Sequence, residues 1–448
     1  MNGQAGRQPL SWRALSALLL AMFAITVGYG IVLPILPFLI ERLASTADAA
    51  TLSWHTGLLT GTYVLAIFLC APLWGKVSDR GRRRSVLLLG LIGFSAGMAL
   101  FALTESLPLL YLSRFLGGLF AAAIAPVAYA LVGDHAPSKE WRAHRFALVN
   151  IVGTAGFFVG PLLGGLVLRA FRELFPNAAE RAFSAPFLAT SALALLAALT
   201  IWSFVPGTAQ RAGSQLPTAE KRYDRAVMSR LWIIAFVTAL AIGAFEVGLS
   251  LRGKQILGMD ASLIGMMFAE CSLVMFFVQA LVFSPLIKPE ATRWFVTPGL
   301  AILAISLVVV PFTSTSITMS IVVALVAASA GILSPIVTYW VSLGAGETQG
   351  ADLGRMTAAA SLGQALGSAA GGLLFDVPIL PGAAFTVTAA VVLAGLGVSL
   401  GLPQLLLRRR TANHPKILGG VPTGSSVDDT MIEASVRARS PPHDHEHH

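Results

Sequence analysis

Long apolar runs, separated by short polar clusters, follow one another along almost the whole chain. A helix that crosses a bilayer needs about 20 largely apolar residues. Twelve runs meet this requirement, at residues 14–40, 56–74, 85–104, 108–132, 146–168, 185–205, 231–251, 261–287, 294–312, 316–342, 356–376 and 383–407. The first run is far longer than the apolar core of a secretory signal. The pattern therefore predicts an all-α membrane protein with twelve transmembrane helices.

The composition and the placement of charge agree with this prediction. Of the 448 residues, 55% are hydrophobic and 12% are charged. Of the 31 Lys and Arg residues, 24 fall in tails and loops on one side of the predicted membrane and six on the other. Because cytoplasmic loops carry the excess of positive charge, we expect both termini to be cytoplasmic, in a bacterial inner membrane. Topology thus explains the basic pI, and we expect no nucleic-acid partner.

Two segments that begin 207 residues apart share a glycine pattern, GFFVGPLLGG in the fifth run and GQALGSAAGG in the eleventh. The residues concerned are Gly156, Gly160, Pro161, Gly164 and Gly165, and Gly363, Gly367, Gly371 and Gly372. Glycine at every fourth position lets a neighbouring helix approach closely. Ordinary packing would explain either run alone, but finding both at equivalent places favours an interface between two halves. Such repeats are typical of transporters.

The repeat divides the chain into two predicted bundles of six helices. They span residues 14–205 and 231–407, after a cytoplasmic N-terminus at 1–13, and a polar cytoplasmic linker at 206–230 joins them. Residues 408–448 have no apolar period, so we expect a disordered cytoplasmic tail. A monomer is the default, since one chain already contains both halves.

Three motifs resemble those of the major facilitator superfamily, and within it the twelve-span drug:proton antiporter group. GKVSDRGRRR resembles the family's loop motif between spans two and three, RFLGGLFAA its fourth-span Arg motif, and GFFVGPLLGG its fifth-span antiporter motif. The resemblance covers residues 14–407 and implies the major facilitator fold and a secondary transporter that works by alternating access. Two departures are the missing residue between Arg80 and Gly81, and Gly117 where the family usually has Gln.

The resemblance implies that the charged loop clamps the two halves together on the cytoplasmic side. In this interpretation Gly75 ends span two where a side chain would block a neighbouring helix. Asp79 accepts hydrogen bonds from a helix end or an Arg. Which of Arg80, Arg82 and Arg83 completes the clamp stays open, and a simple topological anchor of positive charge is the alternative.

Three ionisable side chains lie inside predicted spans, where a charge costs at least about 2.5 to 3.5 kcal/mol. At the helical rise per residue, Glu270 lies about 14 Å deep and Glu246 about 8 Å below the outer surface. A buried carboxyl group favours its protonated form, so we expect Glu270 to carry a proton. Glu246 is an alternative carrier or a counter-charge for cationic substrates. The resemblance implies that Arg114 lies near the proton route; structural hydrogen bonds are the alternative for all three.

Other polar, aromatic and sulfur side chains give weaker indications. Candidates for the substrate cavity are Tyr29, Tyr63, Asn150, Gln279, Tyr339 and Gln364. Met267, Cys271 and Met275 recur every fourth residue and could bind Cu(I), but they are also ordinary apolar fillers. We therefore expect no metal site.

The sequence predicts a proton-coupled exporter of small amphipathic or cationic compounds, with a small-molecule substrate, protons and the lipid bilayer as its partners. A sugar or metabolite importer of the same fold is the main alternative, and a copper transporter is less favoured. All eight His lie outside the predicted spans, which argues against a membrane enzyme. There is no nucleotide-binding Gly-rich loop with Lys, and we expect no cofactor.

Overall fold

The computed structural model describes residues 9–43, 48–78, 83–137, 139–207, 223–282, 287, 289–344, 349–377, 380 and 382–406, and the regular structure in these ranges is helical throughout. The helices are α1 (Trp12–Leu43), α2 (Ala49–Ser78), α3 (Arg83–Leu103), α4 (Leu107–Ala121), α5 (Ile124–Asp134), α6 (Lys139–Leu174), α7 (Ser184–Phe204), α8 (Arg225–Gln255), α9 (Ala261–Val282), α10 (Val296–Val309), α11 (Ser316–Gly344), α12 (Gln349–Leu373), α13 (Ala383–Ser399) and α14 (Leu402–Leu405). Short 3-10 turns precede α7 and α10 and follow α10.

Eleven helical segments of the described chain are long and apolar enough to cross a membrane. They match the predicted runs except the eleventh, where α12 forms but is not among these segments. Several helices extend past their apolar runs and include polar residues at their ends. For this reason His55, predicted to lie outside a span, is part of α2, where its Nδ1 lies 2.9 Å from the Tyr111 hydroxyl.

Buried apolar side chains form two core clusters. One draws on residues between 10 and 205, with Ala261 and Ala365, and the other on residues between 223 and 406, with Leu33. We call residues 9–207 the first half and residues 223–406 the second half. The predicted linker ends earlier than expected, since α8 begins at Arg225; its residues 208–222, residues 1–8 and the predicted tail lie outside the described residues.

Proline interrupts the helix in the fourth predicted span but not in the tenth. Pro126 has no N–H to donate to the carbonyl of Ala122, and the helix is interrupted there, with α4 ending at Ala121 and α5 beginning at Ile124. Pro335 lies inside the uninterrupted α11. The repeat of sequence is therefore not a strict repeat of helix geometry.

The two halves meet where α2 packs against α12 and α6 packs against α9. A Cβ at Gly57 would lie 2.7 Å from the Cα of Gly372, and a Cβ at Gly165 would lie 2.9 Å from the Cα of Ser262. These distances leave no room for larger side chains. We call the end of the molecule that contains these four residues the closed end.

At the opposite end of the same helices the halves are further apart. A Cβ at Gly75 on α2, or at Gly354 on α12, would meet nothing within 4 Å. The expectation that a side chain at Gly75 would block a neighbouring helix is therefore wrong for this conformation. The two halves are therefore in contact at one end of these helices and separated at the other.

Candidate functional site

Glu246 on α8 lies between the two halves and is only 5% exposed. Its Oε2 accepts hydrogen bonds from the hydroxyl of Tyr29 on α1, at 2.6 Å, and from the amide of Gln364 on α12, at 3.3 Å. The Gln364 amide also donates to the Tyr29 oxygen at 3.0 Å. This carboxylate therefore connects the first half to the second, and it brings together two of the predicted cavity residues.

A cavity of about 60 Å³ lies beside Glu246, at the contact between the halves. Apart from Glu246 itself, its lining is apolar or weakly polar: Phe157, Ile242, Phe245, Phe268, Cys271, Met275, Val326, Ala327 and Ala330. A drug-sized ligand needs about 300 Å³ or more, so this cavity is too small for such a ligand in this conformation. The lining favours an apolar ligand with one positive charge.

A stack of aromatic rings connects Glu246 to the buried Arg114. The Tyr29 ring stacks on Tyr63, with 5.4 Å between centroids, and on Phe157, with 5.8 Å. The guanidinium of Arg114 lies 4.4 Å from the centroid of the Tyr63 ring, a cation–π contact. Tyr63, Arg114 and Tyr29 thus adjoin one another and reach Glu246 from the first half.

Arg114 is 2% exposed, and its only hydrogen bond given by the described residues is a long one. Its Nε donates to the carbonyl oxygen of Leu59 at 3.4 Å, and its Nη2 has no partner. The Tyr63 hydroxyl is also buried without a partner. A buried guanidinium usually has a carboxylate partner, so the ring contact contributes much of its stabilisation here.

Glu270 on α9 faces a different environment from Glu246. Each acid is nine residues from the closed end of its helix, about 14 Å at the helical rise. The distance from Glu246 to its helix end exceeds the 8 Å expected from the apolar run, because α8 continues past Leu251 to Gln255. Glu270 is half-buried and shares its helix face with Met266 and Phe277, which are 50% and 62% exposed. No described hydrogen bond involves it.

Two further polar residues of α8, which the sequence analysis missed, point to the first half. Ser250 and Lys254 follow Glu246 at steps of four residues, so all three share one helix face. The Ser250 hydroxyl lies 3.0 Å from the Leu33 carbonyl oxygen and 3.1 Å from the Glu246 carbonyl oxygen of its own helix, so the two acceptors share its proton. The Lys254 ammonium donates to the Pro37 carbonyl oxygen at 3.3 Å. Their spacing after an intramembrane acid was a signal that could have found them.

Polar contacts continue to the closed end of α8. The Lys254 Nζ lies 2.7 Å from Oε2 of Glu41, and the Gln255 amide donates to the Ser53 hydroxyl at 3.0 Å. The Ser53 hydroxyl in turn donates to the carboxylate of Asp376, which follows α12. The closed end is thus held by polar side chains as well as by glycine contacts.

Arg252, two residues before Lys254, faces its own half. Its Nε donates to the Thr313 hydroxyl and its Nη2 to the Pro311 carbonyl oxygen, each at 2.9 Å. Nη2 also donates to the carbonyl oxygen of Thr313. This side chain fastens the end of α8 to the turn that follows α10.

The glycine runs pack mainly within a half, contrary to the predicted interface. A Cβ at Gly160 would lie 2.6 Å from the carbonyl oxygen of Val27 on α1, and a Cβ at Gly367 would collide with the carbonyl of Leu240 on α8. Within the first half, Gly156 and Gly164 also pack against α1. Within the second half, Gly363 and Gly371 also pack against α8. Only the last glycine of each run, Gly165 or Gly372, contacts the other half.

Pro161 stands where three helices meet. A Cβ at Gly30 on α1 would lie 2.8 Å from its Cδ, and a Cβ at Gly265 on α9 would lie 2.6 Å from its carbonyl oxygen. Glycine at both contact points allows α6 to touch α1 in its own half and α9 in the other.

The charged loop is only partly described. Asp79, Arg80 and Arg82 lie outside the described residues. The Nη2 of Arg83 lies 2.9 Å from Oδ2 of Asp134, at the end of α5. This ion pair joins two helices of the first half and does not reach the second.

The remaining candidates lie apart from Glu246 or contribute only in part. The Tyr129 hydroxyl donates to Oδ1 of Asn150 at 2.6 Å, and the Tyr339 ring packs edge-on against Trp340 at 5.5 Å. No described contact joins Asn150, Gln279 or Tyr339 to Glu246. Cys271 and Met275 line the cavity, while Met267 is buried in the second core cluster. The described residues contain no group of three His, Cys, Asp or Glu that could hold a metal ion.

A larger cavity, of about 330 Å³, lies at the closed end. Its charged groups already have partners: Arg169 pairs with Glu173 at 3.1 Å, and Arg172 lies over the Phe183 ring at 5.2 Å. Asp260 accepts a hydrogen bond from the backbone N–H of Leu263. The cavity therefore lacks the unpaired, buried polar group of a binding site.

Comparisons with known proteins agree with this architecture. Multidrug resistance protein 2 of Bacillus subtilis (strain 168) is 28% identical over 394 residues, which cover 86% of this chain and 93% of that protein. Quinolone resistance protein NorA of Staphylococcus aureus (strain MSSA476) is 25% identical over 362 residues, 80% of this chain and 89% of that protein.

Two solved structures are similar in fold. A bacterial homolog of the human lysosomal transporter Spinster, inward-facing and occupied, has a TM-score of 0.66 at 16% identity and covers 88% of this chain and 95% of that chain. The human organic anion transporter MFSD10 (TETRAN) has a TM-score of 0.64 at 21% identity, with 88% and 100% covered. A family model described as Major Facilitator Superfamily matches residues 18–352. The chain therefore belongs to the Major Facilitator Superfamily of membrane transporters.

Proposed function

We propose that this transporter is a proton-coupled exporter of small amphipathic cations, and that Glu246 binds the proton and the substrate's charge in turn. One observation carries the proposal: a buried carboxylate borders an apolar cavity and accepts hydrogen bonds from both halves. The names of the multidrug and quinolone resistance relatives support the substrate class. The main alternative, a sugar importer, would need several polar groups around the ligand, and this cavity lining offers few.

The proposed architecture has twelve spans in two bundles of six, with α12 as the eleventh span and both termini cytoplasmic. In that topology the closed end faces outward, so the structure corresponds to an inward-facing state. A cationic substrate would enter from the cytoplasm and pair with ionised Glu246. After the closed end opens, a proton from outside would replace the substrate on the carboxylate.

Competition at one carboxylate explains the exchange. The ionised form accepts hydrogen bonds from Tyr29 and Gln364 and attracts a cation, and the protonated form does neither as strongly. Proton and substrate therefore exclude each other, which is the requirement for antiport. Arg114, behind the Tyr63 ring, keeps the aromatic stack in place through its cation–π contact.

Glu246 replaces Glu270 as our preferred proton carrier. A coupling group must be reached from both sides in turn, and Glu246 lies at the contact between the halves. Glu270 lies beside exposed apolar side chains of α9, on a face without described polar partners. Because each acid is nine residues from the closed end of its helix, they form a matched pair for an experiment.

The test compares Glu246→Gln with Glu270→Gln in liposomes. A cationic dye is loaded, a pH gradient is imposed, and dye flux is measured with and without the gradient. We expect gradient-driven flux in the Glu246 variant to be at least about ten-fold lower than in the parent protein, a typical coupling effect. The Glu270 variant should keep most of the parental flux. The reverse result would return the coupling role to Glu270, and gradient-independent flux in the parent protein would overturn proton coupling.

A further inference from the structure

The polar face of α8 contacts α1 at every fourth residue. Glu246 contacts Tyr29 and Ser250 contacts Leu33, and in both pairs the partners are 217 residues apart. Lys254 continues the line with the same separation. A step of four residues on both helices means that α1 and α8 run side by side in the same direction. The three contacts form one continuous polar seam from the carboxylate to the closed end.

Proline creates the middle acceptor of this seam. Pro37 lies inside α1 and has no N–H, so the carbonyl oxygen of Leu33, four residues earlier, lacks its usual helical donor. The Ser250 hydroxyl, which is only 1% exposed, supplies a donor to this oxygen and shares its proton with the Glu246 carbonyl oxygen of its own helix. A buried acceptor that loses its donor is costly. Removing the hydroxyl at position 250 would therefore leave the Leu33 carbonyl oxygen without this donor.

The last step of the seam uses a buried charge. The side chain of Lys254 is 9% exposed, and its ammonium contacts the Pro37 carbonyl oxygen and the Glu41 carboxylate. It also lies 5.1 Å from the centroid of the Phe38 ring. All of these partners belong to α1. A buried ammonium needs such partners, and separating the halves would remove them together.

We propose that Ser250 and Lys254 are positioning residues of the transport cycle, which hold the closed end shut and so limit how often Glu246 is exposed there. This inference rests on the proposed function for the role of Glu246, but the seam itself rests on the observed contacts between α1 and α8. Because α8 is one continuous helix, the contacts of Glu246, Ser250 and Lys254 break together when the halves separate. The residues nearest the closed end thereby influence access to the carboxylate.

The experiment measures the opening directly. Spin labels are placed on cysteines at Leu174 and Ile317, which are 72% and 75% exposed at the closed-end termini of α6 and α11. The background carries Cys70→Ala and Cys271→Ala and is first checked for dye transport. Distances between the labels are then measured by electron spin resonance in the full-length, reconstituted protein.

We expect Ser250→Ala to raise the long-distance population about five-fold, the effect of one hydrogen bond. Lys254→Gln should raise it at least as much, and Ser250→Thr, which keeps the hydroxyl, should restore the parent distribution. The matched control is Ser272→Ala on α9, whose hydroxyl donates to the Phe268 carbonyl oxygen of its own helix at 3.0 Å. Thermal unfolding confirms that each variant is folded.

Distances that stay at the parent values in both folded variants would overturn the seam. This outcome is distinct from a failure of the proposed function, which is read from the Glu246→Gln flux. If flux proves independent of the pH gradient while Ser250→Ala still opens the closed end, the seam stands and proton coupling falls.

Discussion

The two halves share their helix packing and differ in their chemistry. Glycines of α6 contact α1, and the equivalent glycines of α12 contact α8 at positions 213 residues further along. The contacted residues are Phe23, Val27 and Ile31 in the first half and Phe236, Leu240 and Ala244 in the second. The same backbone arrangement is therefore built twice.

The same relation aligns the functional positions of α1 and α8. Leu33 corresponds to Glu246 and Pro37 to Ser250, so the first half has apolar residues where the second has a carboxylate and a hydroxyl. Glu41 corresponds to Lys254, and these two equivalent residues form an ion pair with each other. The two halves thus share a scaffold, and the carboxylate and hydroxyl at these positions occur in the second half alone.

The largest expected effect comes from moving the acid to the other half. In the double variant Leu33→Glu with Glu246→Leu, we expect gradient-driven dye flux at least about ten-fold below the parent. The reason is that Tyr29 and Gln364 donate to a carboxylate on α8 and not on α1. Flux in liposomes with an imposed pH gradient measures this. Recovery of parental flux would show that the halves are interchangeable.

A smaller effect should follow from breaking the shared scaffold. Gly160→Val and Gly367→Val each insert a side chain against a helix backbone, and overpacking of this kind costs about 1 to 3 kcal/mol. We expect similar losses of thermal stability in the two variants, measured by unfolding in detergent. Gly354→Val is the control, because a Cβ there meets nothing within 4 Å. A loss in only one half would contradict the equivalence.

The smallest effect should come from removing one side-chain interaction within each half. Arg83 forms an ion pair with Asp134 in the first half, while the Trp340 Nε1 donates to the Thr292 hydroxyl at 3.1 Å in the second. We expect Trp340→Phe and Arg83→Gln each to lower stability by about 1 kcal/mol or less. High salt should reduce only the Arg83 effect, since salt screens charges. Unfolding at low and high salt distinguishes the two, and equal salt dependence would contradict this.

The apolar runs predicted eleven helical segments that are long and apolar enough to cross a membrane, because a bilayer demands length and apolarity. They did not predict which face of α9 meets the other half. That helix is apolar on all sides, so the direction of Glu270 depends on packing that periodicity does not record. The choice between Glu246 and Glu270 therefore needed the tertiary structure.

The glycine spacing predicted close helix contacts correctly but assigned them to the wrong neighbour. A stripe of small residues shows that some helix approaches, and its identity depends on contacts distant in sequence. The polar stripe of Glu246, Ser250 and Lys254 was readable from sequence at the same spacing. Two of its partners on α1 are the backbone carbonyls of Leu33 and Pro37, which no side-chain pattern reveals.

The anchoring of Arg252 has a consequence for how motion spreads through the second half. This side chain donates hydrogen bonds from α8 to the turn after α10. Lys254, two residues further along α8, contacts the first half. Displacing the end of α8 should therefore carry the end of α10 with it as one rigid piece. A fluorophore at Phe312, which is 79% exposed in that turn, would report gating from a site that touches neither substrate nor proton.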